Sequence, residues 1–326
     1  MTAASLLEIR NLEVQYRAAG MEIKAVDHVF LKMGERECVA VIGESGSGKS
    51  TIANAVLRVL PENAQISGGE ILFKGRSLLD LKEEEMRRLR GKDISMVFQD
   101  PHSFLNPVLK IGDQLRETIR THRPDIGREK VADRALELLT LVNIPDPGSI
   151  LRRYSYQLSG GMAQRVALAL GLSSDPSLLL ADEPTSALDL TIQAQVIRLL
   201  KGLMELLHLS VLLITHDLSL VSNIAGRVYV MYAGRIVEED HVDGLYRNPK
   251  HPYTILLLEA VKKLQGLESS LQVAGEPAGG QGESLCPFLP RCSRGQPLCR
   301  EKPPPYREFH GGKKVLCWAA EEGGGK

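Results

Sequence analysis

Residues Gly43-Glu44-Ser45-Gly46-Ser47-Gly48-Lys49-Ser50 spell a complete G-x-x-x-x-G-K-S/T phosphate-binding loop. Its glycines let the backbone curl so that successive N–H groups converge on an anion at the positive end of a helix. Lys49 can reach the outer phosphates of a nucleoside triphosphate, and Ser50, beside Thr51, can ligate Mg²⁺. More than a hundred residues later, Leu158-Ser159-Gly160-Gly161-Met162 offers a second Gly-rich cradle. One nucleotide seldom needs two cradles from one chain. The economical arrangement has each copy grip its own ATP with the first loop and a neighbour's ATP with the second, so the active unit is a pair.

Hydrolysis also needs a carboxylate for the metal and a group that activates water. Leu178-Leu179-Leu180-Ala181-Asp182-Glu183-Pro184 reads as a buried strand ending in acid. Ligands sit beyond strand carboxyl ends in an open α/β sheet. Asp182 is therefore expected to hold Mg²⁺ and Glu183 to polarise the attacking water. His216 follows the apolar run Val211-Leu212-Leu213-Ile214-Thr215 and should reach the same crevice for a γ-phosphate contact. Gln99, after Ser95-Met96-Val97-Phe98, stands at a comparable strand end.

These groups need a scaffold. Cys38-Val39-Ala40-Val41-Ile42 predicts a buried parallel strand with Cys38 in the core, followed by a helix from Ser50 to Leu60 that Pro61 stops. Alternation over Leu6–Tyr16, Ala25–Met33 and Glu70–Lys74 predicts a small antiparallel sheet beside the parallel one. From about Asp100 to Gln157 the period becomes helical, with Val131, Ala135, Leu138 and Val142 on one face, and the second cradle stands at its exit. Thr191 to His208 predicts a core-packed helix whose stripe is Ile192, Val196, Leu199, Leu203 and Leu206. Over Lys82–Arg90 a surface helix should pair Glu83 with Arg87 and Glu84 with Arg88. Residues 266–284, rich in Gly, Ser and Glu, read as a mobile linker.

Forty basic and forty acidic side chains leave no net field to draw a nucleic-acid backbone, so no nucleic-acid partner is expected. No apolar run approaches the roughly 20 residues that span a bilayer, and Met1–Arg10 lacks the layout of a signal peptide. A cytosolic chain that meets a membrane only through partners is the expectation. Four of the five cysteines, Cys286, Cys292, Cys299 and Cys317, fall in the last forty-one residues. Disulfides are disfavoured where ATP is abundant, and the spacing lacks the C-x-x-C pairs of zinc ribbons. Chemistry alone leaves metal binding and unligated thiols both open.

Taken in order, Tyr16, the Lys49 loop, Gln99, Ser159-Gly160-Gly161, Asp182-Glu183, Ser186-Ala187-Leu188-Asp189 and His216 make one set. The chain resembles, over about residues 6–260, the ATP-binding subunit of an ABC transporter. The resemblance implies a P-loop NTPase of the α/β class: a RecA-like parallel sheet core, an antiparallel β subdomain, a helical subdomain over about 100–160, and a short cysteine-containing C-terminal extension. It places the ATP-binding domain at 1–250 and the extension at 251–326. It also implies that Tyr16 stacks on adenine and that Gly43, Glu44, Ser45, Gly46, Ser47, Gly48, Lys49, Ser50 and Thr51 hold ATP. Ser159, Gly160 and Gly161 are similar to the signature motif, Gln99 to the Q-loop, Ser186–Asp189 to the D-loop and His216 to the switch histidine. Glu183, His216 and Gln99 would be catalytic, with Mg²⁺ on Ser50, Gln99 and Asp182. Ala163 stands where many members carry a basic residue.

Asn248-Pro249-Lys250-His251-Pro252-Tyr253-Thr254, together with Cys286-Pro287-Phe288 and Pro290-Arg291-Cys292, resembles the extension of oligopeptide, dipeptide and nickel importer ATPases. In that subfamily Cys286, Cys292, Cys299 and Cys317 match the ligands of a [4Fe–4S] cluster. The stretches Glu85–Gly91, Gln99–Pro101 and Leu105–Val108 look like one of two ATPase paralogues. That implies a heterodimer, with a homodimer the lesser alternative, on two transmembrane permease subunits at the cytoplasmic face of the inner membrane, served indirectly by an extracytoplasmic solute-binding protein. The implied function is ATP-driven uptake of peptides or a related solute such as nickel. A non-transport ABC ATPase, as in phosphonate degradation, is the alternative.

Overall fold

The computed structural model describes residues 5–18, 20–186, 188–264 and 285–320. The expected linker at 266–284 lies outside the described residues. Twelve strands are described: β1 (Leu7–Ala18), β2 (Met21–Met33), β3 (Cys38–Ile42), β4 (Ala64–Phe73), β5 (Arg76–Ser77) and β6 (Ile94–Val97), then β7 (Leu178–Asp182), β8 (Ser210–Thr215), β9 (Arg227–Tyr232), β10 (Arg235–His241), β11 (Tyr306–Glu308) and β12 (Lys314–Leu316). They form a four-stranded antiparallel sheet, β2-β1-β4-β5, and an eight-stranded sheet, β11-β12-β10-β9-β3-β8-β7-β6, with β9, β3, β8, β7 and β6 parallel.

Burial on both faces explains why the centres of the parallel strands are apolar. Val39, Val41, Leu178, Leu180, Leu212 and Ile214 pack with the antiparallel sheet. Their neighbours Cys38, Ala40, Ile42, Leu179, Ala181, Val211 and Leu213 pack with the helices on the other face. Burial pushes the Cys38 thiol up to about 12, so it behaves as the core residue its strand predicts. The two sheets are also tied by Arg235, which donates to Asp27 at 2.6 Å.

Register decides the rest. Val97 pairs with Ala181, Asp182 with Ile214, and Ile42 with Thr215. The residues that follow, Gln99, Glu183, His216 and Gly43, therefore emerge along one edge of the sheet.

Helices Ile111–His122, Val131–Leu141 and Gly160–Gly171 build the helical subdomain, with Val131, Ala135, Leu138 and Val142 all buried. Three local expectations need correction. The helix after the first loop is Lys49–Leu57 and ends before Leu60, because Arg58 turns left-handed (φ 53°) and sends its guanidinium to the carbonyls of Leu78 and Leu81. In the helix Glu83–Leu89, Glu83 meets Arg90 and Glu85 meets Arg76, so these ion pairs run to residues beyond the helix instead of along its face. Leu206 is 65% exposed on the helix Leu190–Leu207, although Val196, Leu199 and Leu203 are buried as the stripe predicts.

The C-terminal segment joins the main sheet: β12 pairs with β10, and β11 with β12. Beneath this junction the Lys313 ammonium is buried 2.9 Å from Asp240 and 3.5 Å from Glu238. Glu238, itself fully buried, also accepts the N–H groups of Lys250 (2.9 Å) and His251 (2.8 Å). A buried charge is tolerable only with such partners.

Candidate active site

The first loop wraps the N-terminus of the helix Lys49–Leu57. Gly48 adopts φ 104°, and a Cβ there would lie 2.1 Å from the Ala25 carbonyl; one on Gly43 would lie 2.2 Å from that of Met231. Only glycine fits either place. Lys49 is buried and donates to the carbonyls of Gly43 (2.9 Å) and Glu44 (2.8 Å). Burial lowers its pKa, against the pull of Glu183, Asp182 and Glu44. The ammonium is thus stationed at the loop mouth, where phosphate oxygens can replace carbonyls.

Ser50 Oγ donates to Asp182 Oδ1 at 2.9 Å, across 132 residues of sequence. Burial raises the Asp182 carboxyl, and the Ser50 bond opposes that rise. A hydroxyl and a carboxylate closing on one point are a hard-oxygen pair suited to Mg²⁺.

Glu183 sits at φ 45°, with its N–H bonded to the Ile214 carbonyl at 2.8 Å. Its Oε2 accepts from Gln99 Nε2 at 3.1 Å and lies 3.2 Å from His216 Nδ1. Three residues predicted from three separate strand ends thus meet at one carboxylate oxygen. Gln99 faces Glu183 here, not the Ser50–Asp182 pair. Together with Ser186 these groups and the loop line a cavity of about 740 Å³.

Two predicted sets lie elsewhere. Tyr16 does not line this cavity; its hydroxyl is 3.4 Å from Thr51 Oγ1, which sets it beside the loop helix. Ser159 caps the helix Gly160–Gly171, accepting from the Met162 N–H at 3.4 Å. A Cβ on Gly161 would come within 2.8 Å of Ile192, and one on Gly160 within 3.2 Å of Leu188. The second cradle therefore packs beside Leu188 and Ile192, and Ser159, Gly160 and Gly161 do not line the cavity of their own chain's first loop. Asp189 caps the helix Leu190–Leu207 through the Ile192 N–H at 3.0 Å.

Sequence reasoning missed three contributors from the C-terminal part. Leu257 lines the ATP-sized cavity, Tyr253 Oη accepts the Glu44 N–H at 2.9 Å, and Arg291 pairs with the Glu44 carboxylate. No local pattern marks such contacts.

Cys286, Cys292, Cys299 and Cys317 line one small cavity with His251 and Phe288, and none is in a disulfide. Burial pushes Cys317 up to about 11 and raises Cys286 and Cys292. No three of the four sulfurs lie within 4.8 Å of one another. A tetrahedral zinc with Zn–S of about 2.3 Å sets its sulfurs about 3.8 Å apart, a tighter cage than this one.

A parallel sheet with a phosphate loop, an Asp–Glu strand end, a glutamine and a histidine at one edge, and a second cradle on a helical subdomain define an ATP-binding cassette. Residues 26–186 match the ABC transporter family, and residues 237–299 match the oligopeptide/dipeptide transporter C-terminal region. The chain is 42% identical to the probable peptide ABC transporter ATP-binding protein of Sinorhizobium fredii over 97% of its own length and 96% of that protein's. It is 44% identical to the oligopeptide transport ATP-binding protein OppD of Bacillus subtilis, over 83% of this chain and 76% of that one. An ATP-binding cassette solved as a dimer in a post-hydrolysis state with ADP and phosphate superposes with a TM-score of 0.65 at 30% identity, covering 72% of this chain and 98% of that one. The chain belongs to the ATP-binding subunits of ABC transporters, in the branch that carries the oligopeptide/dipeptide C-terminal region, and it is an ATPase. No helix among the described residues is long and apolar enough to cross a membrane.

Proposed function

We propose that this subunit hydrolyses ATP to drive import of di- or oligopeptides, or of a related small solute such as nickel, through separate permease subunits at the cytoplasmic face of the membrane. The observation that carries the catalytic part is the meeting of Gln99, Glu183 and His216 over the Lys49 loop. Lys49 and the loop N–H groups take the outer phosphates, and Ser50 and Asp182 would hold Mg²⁺. The metal supplies charge neutralisation on the phosphate oxygens when bound. Glu183 accepts the proton of the attacking water, while His216 and Gln99 fix that carboxylate and sense the γ-phosphate. Attack in line on phosphorus asks for positioning and neutralised charge more than covalent help.

The second cradle serves a partner ATPase. Its distance from its own chain's phosphate cavity supports this reading, as does the dimer formed by the similar cassette. We assign that partner to a paralogous chain. A groove of about 400 Å³ between the sheet and the helical subdomain, walled by Phe98, Phe104 and Leu109, suits the permeases' cytoplasmic helices. Its position beside Gln99 couples nucleotide sensing to the channel.

We assign Cys286, Cys292, Cys299 and Cys317 to a [4Fe–4S] cluster that orders the extension. Their lining of one shared cavity supports this reading. The four thiolates would hold such a cluster, which would supply a structural link between their segments, apart from hydrolysis.

Uptake of labelled dipeptides, longer peptides and Ni²⁺ by a strain deleted for this chain tests the assignment. Loss of peptide uptake, restored by the chain but not by Lys49→Ala, is the expected result. Unchanged uptake of all three solutes would overturn it.

A further inference from the structure

The C-terminal segment reaches the phosphate loop at Glu44. Arg291 Nη1 donates to Glu44 Oε2 at 2.9 Å and Nη2 to Oε1 at 3.0 Å, a two-pronged pair whose arginine side chain is 5% exposed. The Glu44 N–H donates to Tyr253 Oη at 2.9 Å, and its carbonyl accepts from Lys49 at 2.8 Å. Tyr253, Tyr232 and Phe288 pack into one aromatic cluster, with ring centroids 4.6 Å apart for the two tyrosines and 5.6 Å apart for Tyr253 and Phe288. The Arg291 guanidinium lies 5.9 Å from the Tyr232 ring and 5.8 Å from that of Phe288. Planar stacking with a fork of donors suits arginine and no other side chain.

Glu44 lines the cavity that receives the triphosphate, so its carboxylate is a like charge beside the ligand. Paired with Arg291 it presents no net charge, and its backbone stays where Lys49 and the loop N–H groups need it. We propose that Arg291 is a positioning residue for ATP: it neutralises and holds Glu44, so that the C-terminal extension completes the phosphate loop from behind. Because binding linkage is reciprocal, ATP in turn fastens the segment at 285–292. The proposal rests on the assignment of the Gly43–Thr51 loop to ATP.

The test is equilibrium titration of the full-length chain with a fluorescent ATP analogue, alongside hydrogen exchange of residues 285–292. Arg291→Ala should weaken binding about tenfold, within the usual range of coupling between sites. Glu44→Gln with Arg291→Ala should bind more tightly than Arg291→Ala alone, since no bare carboxylate remains. Arg291→Lys, which keeps the charge and one donor, should fall between, and it carries the test if Arg291→Ala does not fold. Nucleotide should slow exchange at 285–292 in wild type and not in the Arg291 variant. Wild-type affinity in both Arg291 variants overturns the proposal. So does a double variant as weak as Arg291→Ala, which would indicate lost packing. If Lys49→Ala keeps full affinity, the loop assignment itself fails; if it loses affinity while the Arg291 variants do not, only the positioning role fails.

Discussion

The Glu183 carboxylate lies 3.2 Å from Nδ1 of His216, although the two residues close different strands. Strand β8 lies between β3 and β7, so parallel register alone carries this histidine to the acid that precedes Pro184. The left-handed backbone of Glu183 then turns its side chain to meet the ring and the Gln99 amide.

Glu183→Gln keeps that shape and removes the proposed base. Turnover in a complex whose partner sites are disabled should fall about 10²–10⁴-fold, the usual contribution of a general base, with ATP affinity largely retained. Steady-state hydrolysis and nucleotide titration measure the two separately. Near-normal hydrolysis would remove Glu183 from the mechanism.

Gly48→Ala tests the loop backbone. The added methyl meets the Ala25 carbonyl in a conformation that alanine resists, so the loop must shift. We expect a loss of about 1–3 kcal/mol in thermal melting and a large loss of ATP affinity. A variant that melts and binds as wild type would show that the loop tolerates the clash.

Asp27 tests the bolt between the sheets. Burial works to raise its carboxyl, but Arg235 and Lys24 outweigh it and hold the group below its ordinary value. The stabilisation is therefore present above the unfolded-state pKa of about 3.9 and is lost as pH falls through the lower folded value. Asp27→Asn should cost about 1–3 kcal/mol at neutral pH, an amount discounted for partial exposure. It should also flatten the acid limb of a stability–pH curve measured by denaturant melts. An unchanged limb would assign the acid sensitivity to other carboxylates.

The four C-terminal cysteines give a colour test. Protein purified without oxygen should be brown, with iron and acid-labile sulfide in equal amounts, and Cys292→Ser should bleach it. Zinc in colourless protein would replace the cluster with another metal; no metal at all would leave four unligated thiols.

What the sequence disclosed follows the range of its signals. The Lys49 loop, Asp182-Glu183 and His216 are legible because short apolar runs predict strands, and strand ends in a parallel sheet share an edge. The early stop at Leu57 was hidden because the acceptors that draw Arg58 aside, Leu78 and Leu81, lie on a distant turn. Glu83 and Glu85 likewise chose partners outside their helix, where helical spacing has no authority. Strands β11 and β12 are three residues each, too short to show a period, so the extension's place in the main sheet was invisible. The Arg291–Glu44 pair spans 247 residues and leaves no local mark.

In the proposed pair, each ATP is held between the first loop of one chain and the second cradle of another. Ser159→Arg, placed in this chain only, tests it most directly in a complex with separately tagged ATPase subunits and nucleotide trapping on each. Trapping should fall on the partner and persist on this chain. Loss confined to this chain's own site would contradict the claim.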